Sequence, residues 1–255
     1  MESRSEVGRY EFLAEPFHCD FSKRLFGGHL GNLLLNAADF HSDERGFGMN
    51  QLNPQRKTWV LSRLAVEMEE MPLAYDRFSV ETWLEGVKRY FTSRDFAVIG
   101  ADGKACGYAR SVWALIDTNT RQPVDILSLN DGEVARHVEE GRACPIAKPS
   151  RVQMGQEARM AREMDTCYHD VDVNGHINSV KYIEHVLDLF PLDYYRSHRL
   201  HRLDVAYVAE TYPGDRLRFY RERVGEAEDY QVRVTKVPAS SLEEVEVVRC
   251  KVKFV

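Results

Sequence analysis

What this sequence lacks narrows it before any motif is read. No apolar run approaches the roughly 20 residues that a membrane-spanning helix needs, so no membrane span is expected. The amino-terminal stretch MESRSEVGRYEF has no apolar core of the kind an export signal carries, and a cytoplasmic location is the expectation. Cys19, Cys106, Cys144, Cys167 and Cys250 are odd in number, scattered, and never spaced C-x-x-C. That usage fits a reducing compartment better than a disulfide framework or a structural zinc site. The phosphate-cradling patterns G-x-x-x-x-G-K-[ST] and G-x-G-x-x-G are absent, as is the serine elbow G-x-S-x-G. Nucleotide binding and α/β-hydrolase serine chemistry are therefore without support. An excess of positive charge is missing too. The formal charge is −6, whereas a general nucleic-acid binder needs a clustered basic surface.

What is present is an ordinary globular composition, 44% hydrophobic and 29% charged over 255 residues, with room for one large domain or two small ones. The chain reads as one unit written twice. Gly28-His29-Leu30-Gly31-Asn32-Leu33 resembles Gly175-His176-Ile177-Asn178-Ser179-Val180. Arg63-Leu64-Ala65-Val66 and Asp76-Arg77-Phe78 are echoed in the same order by Arg202-Leu203-Asp204-Val205 and Asp215-Arg216-Leu217. In the first copy Leu30, Leu33, Leu34, Ala37 and Ala38 form an apolar helical stripe. In the second, Ile177, Val180, Ile183, Val186, Leu187 and Phe190 do so until Pro191 stops them. Strand-like stretches follow near 58–70, 77–86, 88–99 and 105–117, and again near 201–211, 215–224, 229–236 and 244–254. Asp102-Gly103 marks a hairpin between the last two of the first set.

A strand, a long helix and four antiparallel strands are best satisfied when the sheet curls around the helix and buries its stripe. The expected fold class is therefore α+β: two fused hotdog units, a double hotdog, each an antiparallel sheet wrapped around a long central helix. The expected division is 1–130 for the first unit, 131–158 for a polar connector, and 159–255 for the second. Within the connector, 130–140 is expected to form a short helix capped by Asn130.

The densest polar cluster, Tyr168 to Asn178, lies just before the second helix. Asp172, Asn174 and His176 alternate, so in an extended segment their side chains share one face. A carboxylate, an amide and an imidazole together suffice to orient and deprotonate water, and a helix amino terminus offers N–H groups to an oxyanion. Turn formation and helix capping are the structural alternative for Asp172 and Asn174, and a satisfied buried histidine is the alternative for His176. Asn178 is expected to support the helix start. His29 and His41 read as structural. A Cys167–His176 nucleophile is not favoured, and His169, Asp170, Asp172 and His176 lack the helical H-x-x-x-H spacing of a metal site.

Asp172-Val-Asn174-Gly-His176-Ile-Asn178, followed by Val180-Lys181-Tyr182-Ile183, resembles the signature of the plant and bacterial acyl-ACP thioesterases. So do Trp59-Val60-Leu61-Ser62-Arg63, Glu81-Thr82-Trp83, Arg94-Asp95-Phe96, Ser111-Val112-Trp113, Ile116-Asp117 and Thr120-Arg121-Gln122-Pro123, and the similarity runs from about residue 8 to the end. The resemblance implies a double hotdog that hydrolyses fatty acyl-ACP to free fatty acid and acyl carrier protein in fatty acid biosynthesis, with no metal or organic cofactor. It places catalysis in the second unit, on Asp172, Asn174, His176 and Glu210, and much of the acyl pocket in the first. The family's Glu-Cys pair falls on Glu210-Thr211, and the threonine weighs against a cysteine nucleophile. Aligning His29 with His176 sets Gly27 against Asn174 and Leu25 against Asp172, which leaves the first copy without two of the three polar groups.

The implied partner, an acyl carrier protein, is acidic, and Lys181, Arg196, Arg199 and Arg202 are the basic group expected to dock it. An acyl-CoA thioesterase, a hotdog enoyl-thioester hydratase or dehydratase, and a non-catalytic acyl-binding protein are the alternatives. A homodimer stays open, since two fused hotdogs satisfy in one chain what single hotdogs achieve by dimerising.

Overall fold

The apolar stripe of the first copy does form a helix, α1 (Gly27–Asp43), in a computed structural model that describes residues 6–155, 157–225, 228–241 and 243–255. Residues 1–5, the start of the polar amino-terminal stretch, lie outside these. Leu30, Leu34, Ala37 and Ala38 are buried, as a stripe facing a sheet requires. The chain divides into two units, 1–148 and 149–255.

In the first unit, α1 is preceded by β1 (Gly8–Leu13) and followed by α2 (Met49–Leu52), β2 (Lys57–Met68), β3 (Arg77–Val87), β4 (Phe91–Gly100) and β5 (Ala105–Asp117). The strands run antiparallel in the order β1-β3-β4-β5-β2, and α1 packs on β3 and β1. Asp102-Gly103 does turn β4 into β5, with Gly103 at φ 82° and its N–H on the Gly100 carbonyl at 2.9 Å. Residues read as connector belong by packing to this unit. The Arg142 carbonyl accepts from the Trp83 indole at 3.2 Å, and Cys144 and Ile146 are buried against Trp83, Ala97 and Ile99. The expected Asn130 cap is not there. A kinked 3-10 segment spans Ile126–His137, Asp125 caps it, and Asn130, Asp131 and Gly132 all have positive φ. Three successive residues in the left-handed region break a helix rather than start one.

The second unit has β6 (Arg159–Asp165), α3 (Ser179–Leu187), β7 (Leu200–Tyr207), β8 (Arg216–Arg223), β9 (Asp229–Val237) and β10 (Val245–Phe254). Its antiparallel order is β7-β10-β9-β8-β6. On β10, Val248, Cys250, Val252 and Phe254 are buried while Arg249, Lys251 and Lys253 are not, the alternation expected of a one-sided strand. Strand β6 carries almost no apolar signal. Its backbone pairs with β8, and ion pairs lie across that ladder: Arg218 to Glu163 at 2.6 Å and Arg216 to Asp165 at 2.8 Å, in a register that sets each pair directly across.

The repeat is real, but its register is not the one the letters suggest. Gly28 and His29 lie inside α1, whereas Gly175 and His176 precede α3. Bond for bond, the loop Asp20–Leu25 matches the loop Asp172–Ile177. The Asp20 N–H reaches the Arg24 carbonyl at 2.8 Å, as the Asp172 N–H reaches that of His176 at 2.8 Å. The Lys23 N–H bonds the Asp20 carbonyl at 2.9 Å, and the Gly175 N–H that of Asp172 at 3.0 Å. Both closing residues are left-handed, Lys23 at φ 66° and Gly175 at φ 79°. The next residues also agree: Leu25 N–H to Pro72 carbonyl at 2.9 Å, and Ile177 N–H to Thr211 carbonyl at 3.0 Å. Arg24 therefore answers to His176, Ser22 to Asn174, Asp20 to Asp172 and Met71 to Glu210. The G-H match at His29 is a coincidence of letters, displaced because the two loops carry different residues on one backbone.

Candidate active site

The loop before α3 is a tight turn, not an extended segment. The expectation that Asp172, Asn174 and His176 share one strand face is therefore corrected: Val171 bridges Ile177, and the chain reverses between them. Asp172 makes that reversal. Its Oδ1 accepts the backbone N–H of Asn174 at 2.8 Å and of His176 at 3.3 Å. In the other unit Asp20 Oδ1 accepts from the N–H of Ser22 at 2.7 Å and of Arg24 at 3.0 Å. An aspartate is suited to this because its short carboxylate reaches its own backbone two residues on. The same bonds in a loop with no histidine or glutamate make this Asp172 oxygen a fixture of the loop. Asn174 sits exposed at the tip and His176 is half-buried.

The loop's backbone donors are largely committed. Besides the two held by Asp172, Gly175 N–H bonds the Asp172 carbonyl, Ile177 N–H that of Thr211, and Asn178 N–H that of Asp170. Asn178 caps α3 by accepting from Val180 N–H at 2.9 Å, so the helix start is partly satisfied by its own cap. The side-chain amide of Asn174, exposed at the tip, is a further donor that the loop itself does not use among the described residues.

His176 and Glu210, far apart in sequence, are brought together: Nδ1 lies 3.7 Å from Glu210 Oε1, with both side chains about a quarter exposed. Tyr212 completes the group. Its hydroxyl donates to Glu210 Oε2 at 3.2 Å, and its ring meets the His176 ring edge-on, centroids 5.0 Å apart. Lys236 donates to the Glu210 carbonyl at 2.6 Å and stands 5.2 Å from the Tyr212 ring centre. The sequence reading missed Tyr212; its place two residues after Glu210, past a buried Thr211, was the available signal. Thr211 is 1% exposed, and the atom it gives the loop is its carbonyl. Cys167 is exposed, with Sγ 3.6 Å from the Asp165 carbonyl. No metal-holding group of three or more His, Cys, Asp or Glu occurs among the described residues.

Three of the basic residues carry acidic neighbours. Lys181 pairs with Glu184 at 2.6 Å and Arg196 with Asp193 at 3.0 Å. Arg202 makes two bonds to buried Asp204, at 2.8 and 3.0 Å. Arg199, at the entry to β7, is exposed and pairs with no acidic side chain among the described residues.

Residues 9–129 match the family described as the acyl-ACP thioesterase N-terminal domain, and residues 154–254 match its C-terminal domain. The chain belongs to the acyl-ACP thioesterase family. The relation is seen across a whole structure as well. An acyl-ACP thioesterase from Bacteroides thetaiotaomicron is 48% identical, with 98% of each chain covered and a TM-score of 0.88. The 12:0-ACP thioesterase from Umbellularia californica shares the fold at 21% identity and a TM-score of 0.82, with 100% of this chain and 99% of that one covered. Among curated relatives, a chloroplastic palmitoyl-acyl carrier protein thioesterase of Gossypium hirsutum is 28% identical over 65% of this chain and 41% of its own length. A chloroplastic oleoyl-acyl carrier protein thioesterase of Coriandrum sativum is 24% identical over 78% and 58%. The chain thus spans about half the length of these two curated relatives. The fold is the family's double hotdog, α+β. No helix among the described residues is long and apolar enough to cross a membrane.

Proposed function

We propose that this protein hydrolyses the thioester of fatty acyl-ACP to free fatty acid and acyl carrier protein, in the cytoplasm. The observation that carries the reading is the His176–Glu210–Tyr212 group, set on a loop whose twin has Arg24 and Met71 in place of the histidine and glutamate. One copy thus carries a candidate acid–base pair on a scaffold that the other copy keeps without it.

In this reading Glu210 takes the Nδ1–H of His176. That fixes the tautomer with the Nε2 lone pair available to remove a proton from water. The 3.7 Å separation is of the loose kind common before substrate binds. Water attacks the thioester carbonyl, and the Asn174 amide steadies the oxygen as it gains charge. His176 then returns the proton to the departing thiol. Asp172 holds Asn174 and His176 in place through their backbone. Thr211 supplies no nucleophile: its side chain is buried and no thiol occupies the position. The cytoplasm suits five free cysteines among the described residues.

The test is thiol release from a panel of acyl-ACP and acyl-CoA substrates of several chain lengths. The reading expects kcat/KM for acyl-ACP to exceed that for acyl-CoA of the same chain. Equal values would move the assignment to a CoA-directed thioesterase, and hydration of an enoyl thioester without thiol release would replace hydrolysis altogether.

A further inference from the structure

Beside the loop bearing Asp172, Asn174 and His176 lies a pair, a buried aspartate and a half-buried histidine, that the proposed chemistry leaves unused. Asp170 is 4% exposed and closes the short 3-10 turn Tyr168–Asp170. Its Oδ2 accepts the N–H of Cys167 at 2.7 Å, on the near side of the loop. Its backbone carbonyl accepts the N–H of Asn178 at 2.8 Å, on the far side. Its Oδ1 meets Nε2 of His185 at 2.8 Å, on the second turn of α3. A carboxylate only accepts, so Nε2 carries the hydrogen. The His185 ring also lies edge-on to Phe219 of β8, centroids 6.1 Å apart. One residue therefore ties both ends of the loop to the body of the helix and, through His185, to the sheet.

The first unit supplies the control. There the loop closes by the same bond, Phe26 N–H to the His18 carbonyl at 3.0 Å. His18 and Leu33 stand where Asp170 and His185 stand, and they cannot form such a pair. The loop's fold does not require it. Burying a carboxylate is costly unless every lone pair it keeps is used, and this cost is carried only in the copy that holds His176 and Glu210. We infer that Asp170 and His185 are positioning residues, a clamp that sets the loop and thereby holds His176 against Glu210. The inference rests on the hydrolase reading for its effect on rate, but not for its effect on the loop.

The experiment uses the full chain and three variants: His185→Phe, His185→Gln and Asp170→Asn. Kinetics on acyl-ACP are read beside amide hydrogen exchange at Cys167 and Asn178. A misplacement of about 1 Å in an active site lowers rate on the order of a hundredfold. His185→Phe should therefore lose roughly ten- to a hundredfold in kcat, with KM within about twofold. Its exchange at Asn178 should be faster. His185→Gln, whose amide can still donate to Asp170, should recover most of the rate. If His185→Phe does not fold, Asp170→Asn carries the test. It keeps an acceptor for Cys167, but His185 could accept from the new amide only by moving its hydrogen to Nδ1, which is buried with no partner among the described residues, so a similar loss is expected. Unchanged kcat and unchanged exchange in the folded variant overturn the clamp, as does a Gln variant no better than Phe. If the wild-type chain releases no thiol, the functional reading fails, and exchange at Asn178 alone decides the clamp.

Discussion

Because the two loops share their bonds, Asp20 and Asp172 form a matched pair in which loop architecture can be separated from chemistry. Asp20→Ala removes a carboxylate that accepts two backbone N–H groups and the Ser22 hydroxyl, the last at 2.6 Å. Asp172→Ala removes one that accepts two backbone N–H groups, one of them long at 3.3 Å. Losing a side-chain acceptor of this kind costs about 0.5–2 kcal/mol, and Asp172, with the weaker set, belongs at the lower end. Each variant should thus melt a few degrees low, at roughly 2–8 °C per kcal/mol for cooperative units of this size. Their rates should differ sharply. Asp20→Ala should keep kcat within about twofold, while Asp172→Ala should lose about a hundredfold. Asp172→Asn separates scaffold from charge, because its side-chain oxygen can accept the same two N–H groups. It should regain the melting temperature and most of the rate. Melting curves and thiol-release kinetics on the three variants are the assay. An Asp172→Asn enzyme that melts like wild type yet is as slow as Asp172→Ala would refute the scaffold role and give the carboxylate a direct part in the reaction.

Other outcomes are expected at sites the same structure describes. His41 is held neutral from both sides, its Nε2–H on the Glu6 carbonyl at 3.0 Å and its Nδ1 accepting from Arg94 at 3.1 Å. Burial, then the Arg94 charge, pushes it down to about 2. With the folded value depressed, its contribution is full above the unfolded value near 6.5 and is lost as pH falls below it. Going from pH 7.5 to 5.5 should cost about 1.4 kcal/mol through this residue, and urea melts of a folded His41→Asn variant should show that part of the slope gone. Thr211→Ala and Cys167→Ser should keep most activity, and thiol alkylation should not abolish it; an acyl group trapped on Cys167 would reverse the mechanism. Arg199→Glu should raise KM for acyl-ACP more than Lys181→Glu does, and salt should shrink the difference. Equal KM values in the two variants would remove Arg199 from the docking surface.

Most of the fold was legible because its signals are local and strong. The stripe of Leu30, Leu34, Ala37 and Ala38 and the alternation from Val248 to Phe254 are periodicities that burial itself imposes. Strand β6 was not legible, because it is an edge strand whose side chains stay mostly exposed, so burial imposes no apolar period on it. The loop's shape was missed for a different reason. Alternating Asp172, Asn174 and His176 look extended, but an aspartate bonding the backbone two and four residues on bends the chain back. Hidden for the same reason was the true register of the repeat, since Asp20, Ser22 and Arg24 share a conformation with the second loop but hardly a letter. Tyr212 and His185 come to the site through tertiary packing, from beyond Glu210 and from the second turn of α3; nearness to Glu210 is the one sequence signal for Tyr212, and nothing in its immediate sequence marks His185.

The central claim is that His176, oriented by Glu210, activates the water that cleaves acyl-ACP. It is tested most directly by single-turnover thiol release from one acyl-ACP with His176→Ala and Glu210→Gln, each checked for fold by its melting curve. Folded His176→Ala should fall at least about a hundredfold in the chemical step and Glu210→Gln about tenfold or more. A folded His176→Ala enzyme that releases thiol at the wild-type rate would contradict it.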